Sequence, residues 1–177
     1  MRAVMLTAGP YFAFLKLKIR KMRTLILMRH AHSHWPPNTE DFDRPLSDKG
    51  KAEATEKARY QKEHLNLEDA LILCSPARRT RETAEILLRD LSGIALQFED
   101  DLYNAEPSVF SQVLHCVPDE YRTVIIISHN NGISYFANSL SDTNISQLPT
   151  AGIAVFEIAA ERWAEFDKAG KKSLFIA

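Results

Sequence analysis

The residues of this 177-residue sequence best suited to chemistry are histidines and arginines that follow apolar runs. Arg29 and His30 come directly after Leu-Ile-Leu-Met at 25–28, and His129 and Asn130 directly after Thr123–Ser128. A cluster of Arg78, Arg79 and Arg81 follows the pair Ser75-Pro76. Arginine presents a planar fork that grips phosphate bidentately and stays charged at any working pH. A neutral imidazole is a competent nucleophile, and a covalent intermediate divides one displacement into two. A second imidazole can hold charge on a transferring phosphoryl group, a reaction that depends mainly on positioning and electrostatics. The set therefore points to phosphoryl chemistry. Taken singly, each member also fits a structural role: a polar pair after a strand, a solvated helix face, or a cap at His129. There is no Gly-rich loop ending in Lys-Ser/Thr, so use of a nucleoside triphosphate is not indicated.

Such side chains act together only if the chain gathers them. Thr24–Met28, Ala70–Cys74 and Thr123–Ser128 are short apolar runs that read as buried strands, the last rich in Val and Ile. Ser47 is placed to cap a helix over 48–64 whose apolar stripe is Ala54, Ala58 and Leu65. Ser75 as N-cap and Pro76 in the first turn predict a second helix. Its Ala77, Ala84, Leu87, Leu88 and Leu91 lie on one face, and Gly93 ends it. A strand at 95–98, a helix near 108–116 and a helix bearing Ile133, Phe136, Ala137 and Leu140 follow. Gly152–Ile158 and Trp163–Phe166 read as two strands joined by a short turn. Pro36, Pro37 and Pro45 make 31–46 a loop. Alternating strands and helices predict a three-layer α/β/α fold with a mostly parallel central sheet. In such sheets ligands bind beyond the carboxyl ends of the strands, where Arg29, His30, Ser75, Ser128, His129 and Asn130 would all arrive.

Composition adds limits. Hydrophobic residues make up 45% and charged residues 25%, an ordinary globular balance. No apolar run approaches the ~20 residues of a membrane span. Cys74 and Cys116 have no metal-ligand spacing, and Cys74 reads as a buried small hydrophobe. Sparse cysteine suits a cytoplasmic setting. Residues 1–23 carry six basic side chains and no acid, which leaves 16 basic against 23 acidic residues in the remainder. An acidic body is a poor general partner for nucleic acid. Residues 1–21 are expected to be a basic extension, and 22–177 one catalytic domain.

The motifs Leu-Met-Arg-His-Ala at 27–31, Arg-Pro-Leu-Ser at 44–47, Ser-Pro-Ala-Arg-Arg-Thr-Arg-Glu-Thr at 75–83 and Ser-His-Asn at 128–130 resemble the histidine phosphatase (phosphoglycerate mutase-like) superfamily. Order and approximate spacing agree from about residue 24 to 158. The short length, Arg-Pro-Leu-Ser and Leu-Pro-Thr-Ala-Gly-Ile-Ala at 148–154 resemble its SixA-like phosphohistidine phosphatase branch. The resemblance implies that His30 is the nucleophile and Arg29 the phosphate-binding arginine beside it. It places the second phosphate arginine at Arg79 rather than Arg78, and the second pocket histidine at His129. Arg44 and Asn130 are implied as substrate-binding groups and Glu106 as the general acid. No metal and no organic cofactor is implied. Ala31 and His32 stand where many relatives have Gly and Glu.

The expected substrate is a phosphorylated protein carrying phosphohistidine, or a small phosphorylated metabolite. An alcohol leaves poorly without a proton donor, whereas a phosphorylated imidazole can leave already protonated on its second nitrogen. Three rivals stand beside this reading. His30, His32 and His34 alternate and could face one metal, but the barrel hydrolases that use such pairs need ~250 residues. A module that binds phosphoprotein without turnover would not need the whole set Arg29, His30, Arg79 and His129. The third is a small-molecule phosphomonoesterase or mutase; mutases usually carry longer insertions that close over a sugar phosphate, and 177 residues leave little room for them.

Overall fold

A computed structural model describes residues 22–91 and 93–176. The expected basic extension at 1–21 lies outside the described residues.

One six-stranded sheet organises the described chain. Its strands are β1 (Arg23–Arg29), β2 (Ala70–Cys74), β3 (Ala95–Phe98), β4 (Thr123–Ser128), β5 (Ile153–Ile158) and β6 (Lys171–Ile176). Their order is β3-β2-β4-β1-β5-β6, with the first four mutually parallel and β5 antiparallel to β1. Alternation within each strand splits the apolar side chains between two faces. Leu25, Leu27, Val124 and Ile126 join one core cluster, and Ile26, Met28, Ile125 and Ile127 the other. Helices α1 (Asp48–His64) and α2 (Arg78–Asp90) cover the second face, through Ala54, Ala58, Ala84 and Leu87. Helices α3 (Pro107–His115) and α4 (Gly132–Ser139) cover the first, through Phe110, Leu114, Ile133 and Phe136. This is the three-layer α/β arrangement with a mostly parallel sheet that periodicity predicts.

Two expectations need correction. Trp163–Phe166 is not a strand but the start of a 3-10 helix, Trp163–Lys168. Its indole Nε1 donates to the Tyr121 carbonyl (2.7 Å), and the buried ring closes the core instead of extending the sheet. The sixth strand is Lys171–Ile176, whose burial alternates as an edge strand's does. The second helix also begins later than Ser75-Pro76 implies. Its N-cap is Ala77, without a side-chain cap, because the Ser75 hydroxyl is engaged elsewhere. The Ser47 cap is present, its hydroxyl accepting from the Gly50 amide at 3.1 Å.

Glycine sets two close approaches near the carboxyl edge of the sheet. A Cβ on Gly50 would lie 2.0 Å from the His32 carbonyl oxygen, and one on Gly132 would lie 1.8 Å from that of Ala105. Only glycine lets the backbones approach so nearly.

Candidate active site

Register places the two histidines. Arg29 of β1 pairs with Ser128 of β4, so His30 and His129 leave adjacent parallel strands side by side. The His30 amide continues the ladder to the Ser128 carbonyl at 3.1 Å, and their ring centroids lie 5.2 Å apart. On the other flank of β4, Cys74 pairs with Ile127, which brings Ser75 beside the same edge. Antiparallel β5 begins opposite the end of β1, Ile153 against Met28, so residues 148–152 arrive there too. The result is a cavity of about 460 Å³ lined by Arg29, His30, Asp41, Arg44, Arg79 and His129, with His32, Ser33, Asn104, Asn130 and Thr150 completing the wall.

His30 is presented as a nucleophile would be. Its Nδ1 lies 2.8 Å from the Ala31 carbonyl, which can only accept, so Nδ1 carries the proton and Nε2 keeps its lone pair. The Ala31 amide in turn donates to Thr83 Oγ1 on α2 at 3.1 Å, fixing that carbonyl. Nε2 faces the cavity and accepts from Arg79 Nε at 3.3 Å. Burial, followed by the nearby Arg79, Arg29 and Arg44 charges, lowers the His30 pKa to about 4 against the opposing pull of the Ala31 bond. The ring is therefore neutral at ordinary pH.

His129 is 3% exposed, and its Nε2 lies 2.7 Å from Ser75 Oγ. Its Nδ1 is buried with no hydrogen-bond partner among the described residues. Burial first, and then Arg79 and His30, lower its pKa. A hydroxyl that donates to Nε2 leaves the proton on Nδ1, the form that can donate to a phosphate oxygen.

The arginines divide the work of holding the pocket. Arg29 Nη1 donates to the Leu148 carbonyl (2.9 Å), and its buried Nε has no partner among the described residues. Arg79, 3% exposed, turns Nε to His30 and its two terminal nitrogens to Asp41, with Nη1 to the carbonyl (2.6 Å) and Nη2 to Oδ2 (3.0 Å). Arg44 Nη1 reaches Asp41 Oδ1 (3.0 Å), and its guanidinium lies over the Trp35 ring at 4.4 Å. Three arginines against one carboxylate make the cavity an anion site. Asn130 also lines it, with one N–H of its Nδ2 donated to the Leu148 carbonyl at 3.1 Å.

The structure thus brings Arg29, His30, Arg44, Arg79, His129 and Asn130 to one cavity. It does not bring Glu106 there. That residue is exposed at the N-cap of α3 and is not among the lining residues, since the neighbouring Ala105 turns inward against Gly132. Nor do the alternating histidines converge: His32 lines the cavity and bonds Ser47 Oγ (2.7 Å), while His34 lines a separate groove with Arg78 and Glu82. Among the described residues no cluster of three or more His, Cys, Asp or Glu is placed to hold a metal. The Cys74 thiol, pushed up to about 12 by burial, stays protonated in the core. Sequence reasoning missed Asp41 and Tyr103. The signal for Asp41 is its place three residues before Arg44 in the otherwise unassigned loop. Tyr103 offers no local signal.

Residues 25–112 match the family model of the histidine phosphatase superfamily, branch 1. The chain is similar to an uncharacterised protein of Mycobacterium tuberculosis, 31% identical over 150 residues that span 79% of this chain and 92% of the relative. Among solved structures it resembles a protein of Nakamurella multipartitia described as a phosphohistidine phosphatase, SixA. That likeness has a TM-score of 0.76 and 26% identity, and covers 88% of this chain and 95% of the other. A SixA protein from Agrobacterium tumefaciens gives a TM-score of 0.73 at 25% identity, covering 88% and 97%. With a lone-pair imidazole at the end of β1 and relatives of this kind, the chain belongs to branch 1 of the histidine phosphatase superfamily.

Proposed function

We propose that the chain is a phosphohistidine phosphatase that works through a phosphorylated His30 and takes phosphohistidine on a protein as substrate. His30 Nε2 attacks phosphorus, and the phosphorus–nitrogen bond of the substrate breaks. Its electron pair passes to the departing imidazole, which keeps the proton on its other nitrogen. Water then displaces the phosphoryl group from His30 as inorganic phosphate. Arg29, Arg79 and the Nδ1–H of His129 hold the phosphoryl oxygens, whose charge such preorganised donors stabilise.

One observation carries the reading: the only carboxyl group among the described residues lining the cavity is Asp41, and it is locked as an anion. Burial raises its pKa, but the hydrogen bonds from Tyr103 and Arg44 and the Arg79 charge outweigh this and bring it to about 2. A pocket with no proton to give suits a leaving group that needs none. The Nakamurella and Agrobacterium proteins described as phosphohistidine phosphatases support the same choice. A protein substrate also suits the rim, where Trp35 and Phe42 are exposed and pack against Arg44 and Tyr103.

The test is a substrate panel of phosphohistidine protein, sugar phosphates and nucleotides, combined with acid quenching of labelled enzyme. The expected result is fastest turnover of phosphohistidine and an acid-labile phosphoenzyme that His30→Ala lacks. Stable binding of phosphoprotein without turnover would overturn it, as would faster hydrolysis of sugar phosphates.

A further inference from the structure

Asp41 stands on the solvent side of the pocket, with 34% of its side chain exposed, whereas His30 and His129 form the buried floor. Its contacts with Arg79 take only the Nη1–Nη2 end of the guanidinium, while Nε faces His30. Once His30 Nε2 bonds phosphorus its lone pair no longer accepts from Arg79 Nε, so that N–H can turn to a phosphoryl oxygen, and binding phosphate does not require Asp41 to leave. Oδ2 already accepts from Arg79 and from the Tyr103 hydroxyl (2.7 Å), whereas among the described residues Oδ1 accepts only from Arg44. A carboxylate oxygen accepts two hydrogen bonds, so Oδ1 has one acceptor site open.

In-line displacement sends the leaving group away from His30 Nε2, out toward the solvent side where Asp41 sits. We infer that Asp41 determines selectivity, receiving the N–H of a protonated leaving group so that the pocket takes phosphorus–nitrogen substrates over phosphate esters. The inference rests on the phosphohistidine reading and says which residue enforces it. In the transfer the N–H remains on the departing ring and the carboxylate remains an anion throughout. Its charge favours the protonated phosphoimidazole over the unprotonated one. An ester offers the opposite: its leaving oxygen gathers negative charge beside a fixed carboxylate and finds no proton.

The experiment compares the full-length wild type, Asp41→Asn and Asp41→Glu on a phosphohistidine peptide and on p-nitrophenyl phosphate, an ester whose leaving group departs without a proton. Loss of the carboxylate disturbs Arg79 for both substrates, so the ratio of the two kcat/KM values is the readout. In Asp41→Asn the phosphohistidine value is expected to fall roughly tenfold further than the ester value. Asp41→Glu, which keeps the charge, is expected to recover part of that ratio. A parallel fall on both substrates reduces Asp41 to a support for Arg79 and overturns the inference, while the phosphohistidine reading stands. A wild type that prefers the ester overturns that reading and the inference with it.

Discussion

The Ser75 hydroxyl lies 2.7 Å from Nε2 of His129, joining the ends of β2 and β4 through a buried hydrogen bond. Among the described residues the hydroxyl has no other hydrogen-bond partner, and Nδ1 of the same ring is buried and unpartnered. If phosphate is to receive Nδ1–H, as the proposed mechanism requires, Ser75 must donate to Nε2 and so set that tautomer. Ser75→Ala is therefore expected to lower kcat by roughly ten- to a hundredfold, the range in which orienting partners of a working imidazole act. Stopped-flow phosphoenzyme formation should slow in step. An unchanged rate would remove Ser75 from the positioning of His129.

That bond also shows what the sequence could and could not disclose. Ser75-Pro76 satisfies the chemistry of a helix start, and nothing local reveals that a ring 54 residues later claims the hydroxyl. The strand ends carrying His30 and His129 were legible because buried parallel strands are short apolar runs with abrupt polar ends. The last strand was not. Lys171, Lys172 and Ser173 hide it as an edge strand, while the aromatic run at Trp163–Phe166 imitates one. Asp41 and Tyr103 meet across 62 residues from two irregular segments, and periodicity says nothing of such pairs.

Thr83 holds the nucleophile at one remove. Its hydroxyl receives the Ala31 amide, and the Ala31 carbonyl receives His30 Nδ1–H. Thr83→Val keeps the shape but leaves a buried amide unpaired, at a cost of about 1–3 kcal/mol. Urea unfolding is expected to show that loss, with a fall in kcat as the His30 ring loses its fixed rotamer. A variant that is destabilised but fully active would separate folding from positioning.

Gly50 inverts the usual helix rule. Replacing a glycine inside a helix with alanine ordinarily gains up to about 1 kcal/mol, and Gly50 lies in the first turn of α1. Here the new Cβ would lie 2.0 Å from the His32 carbonyl oxygen, which is backbone and cannot swing aside. Gly50→Ala is expected to destabilise, and to reduce activity as the 31–34 segment is pushed from the cavity. A raised unfolding midpoint would show that α1 shifts freely.

Stability should fall with acid earlier than carboxylate titration explains. His30 and His129 are depressed in the fold, so the unfolded chain binds more protons wherever pH lies below about 6.5. Their contribution is complete above that pH and is lost as pH falls toward the folded values. For His30, with a folded pKa of about 4, the loss is on the order of 3 kcal/mol. Asp41, depressed to about 2, adds its own loss only below about pH 4. Urea midpoints at pH 7, 5.5 and 4.5 should decline for the wild type and decline less steeply in His30→Gln, where His129 still titrates. Equal slopes in the two proteins would place the titration elsewhere.

Glu106 gives the sharpest contrast between a role implied by resemblance and one supported by place. It is exposed, makes no side-chain cap to α3, and does not line the cavity. A general acid must come within about 3 Å of the leaving atom, directly or through one water. Glu106→Gln is accordingly expected to keep phosphohistidine turnover within roughly twofold, the range of surface substitutions away from a site. If the variant instead loses ester hydrolysis by two orders of magnitude while phosphohistidine turnover survives, segment 103–107 must close over the pocket during ester cleavage. A loss on both substrates would make Glu106 the proton donor and would remove the main ground for a substrate that leaves with its own proton.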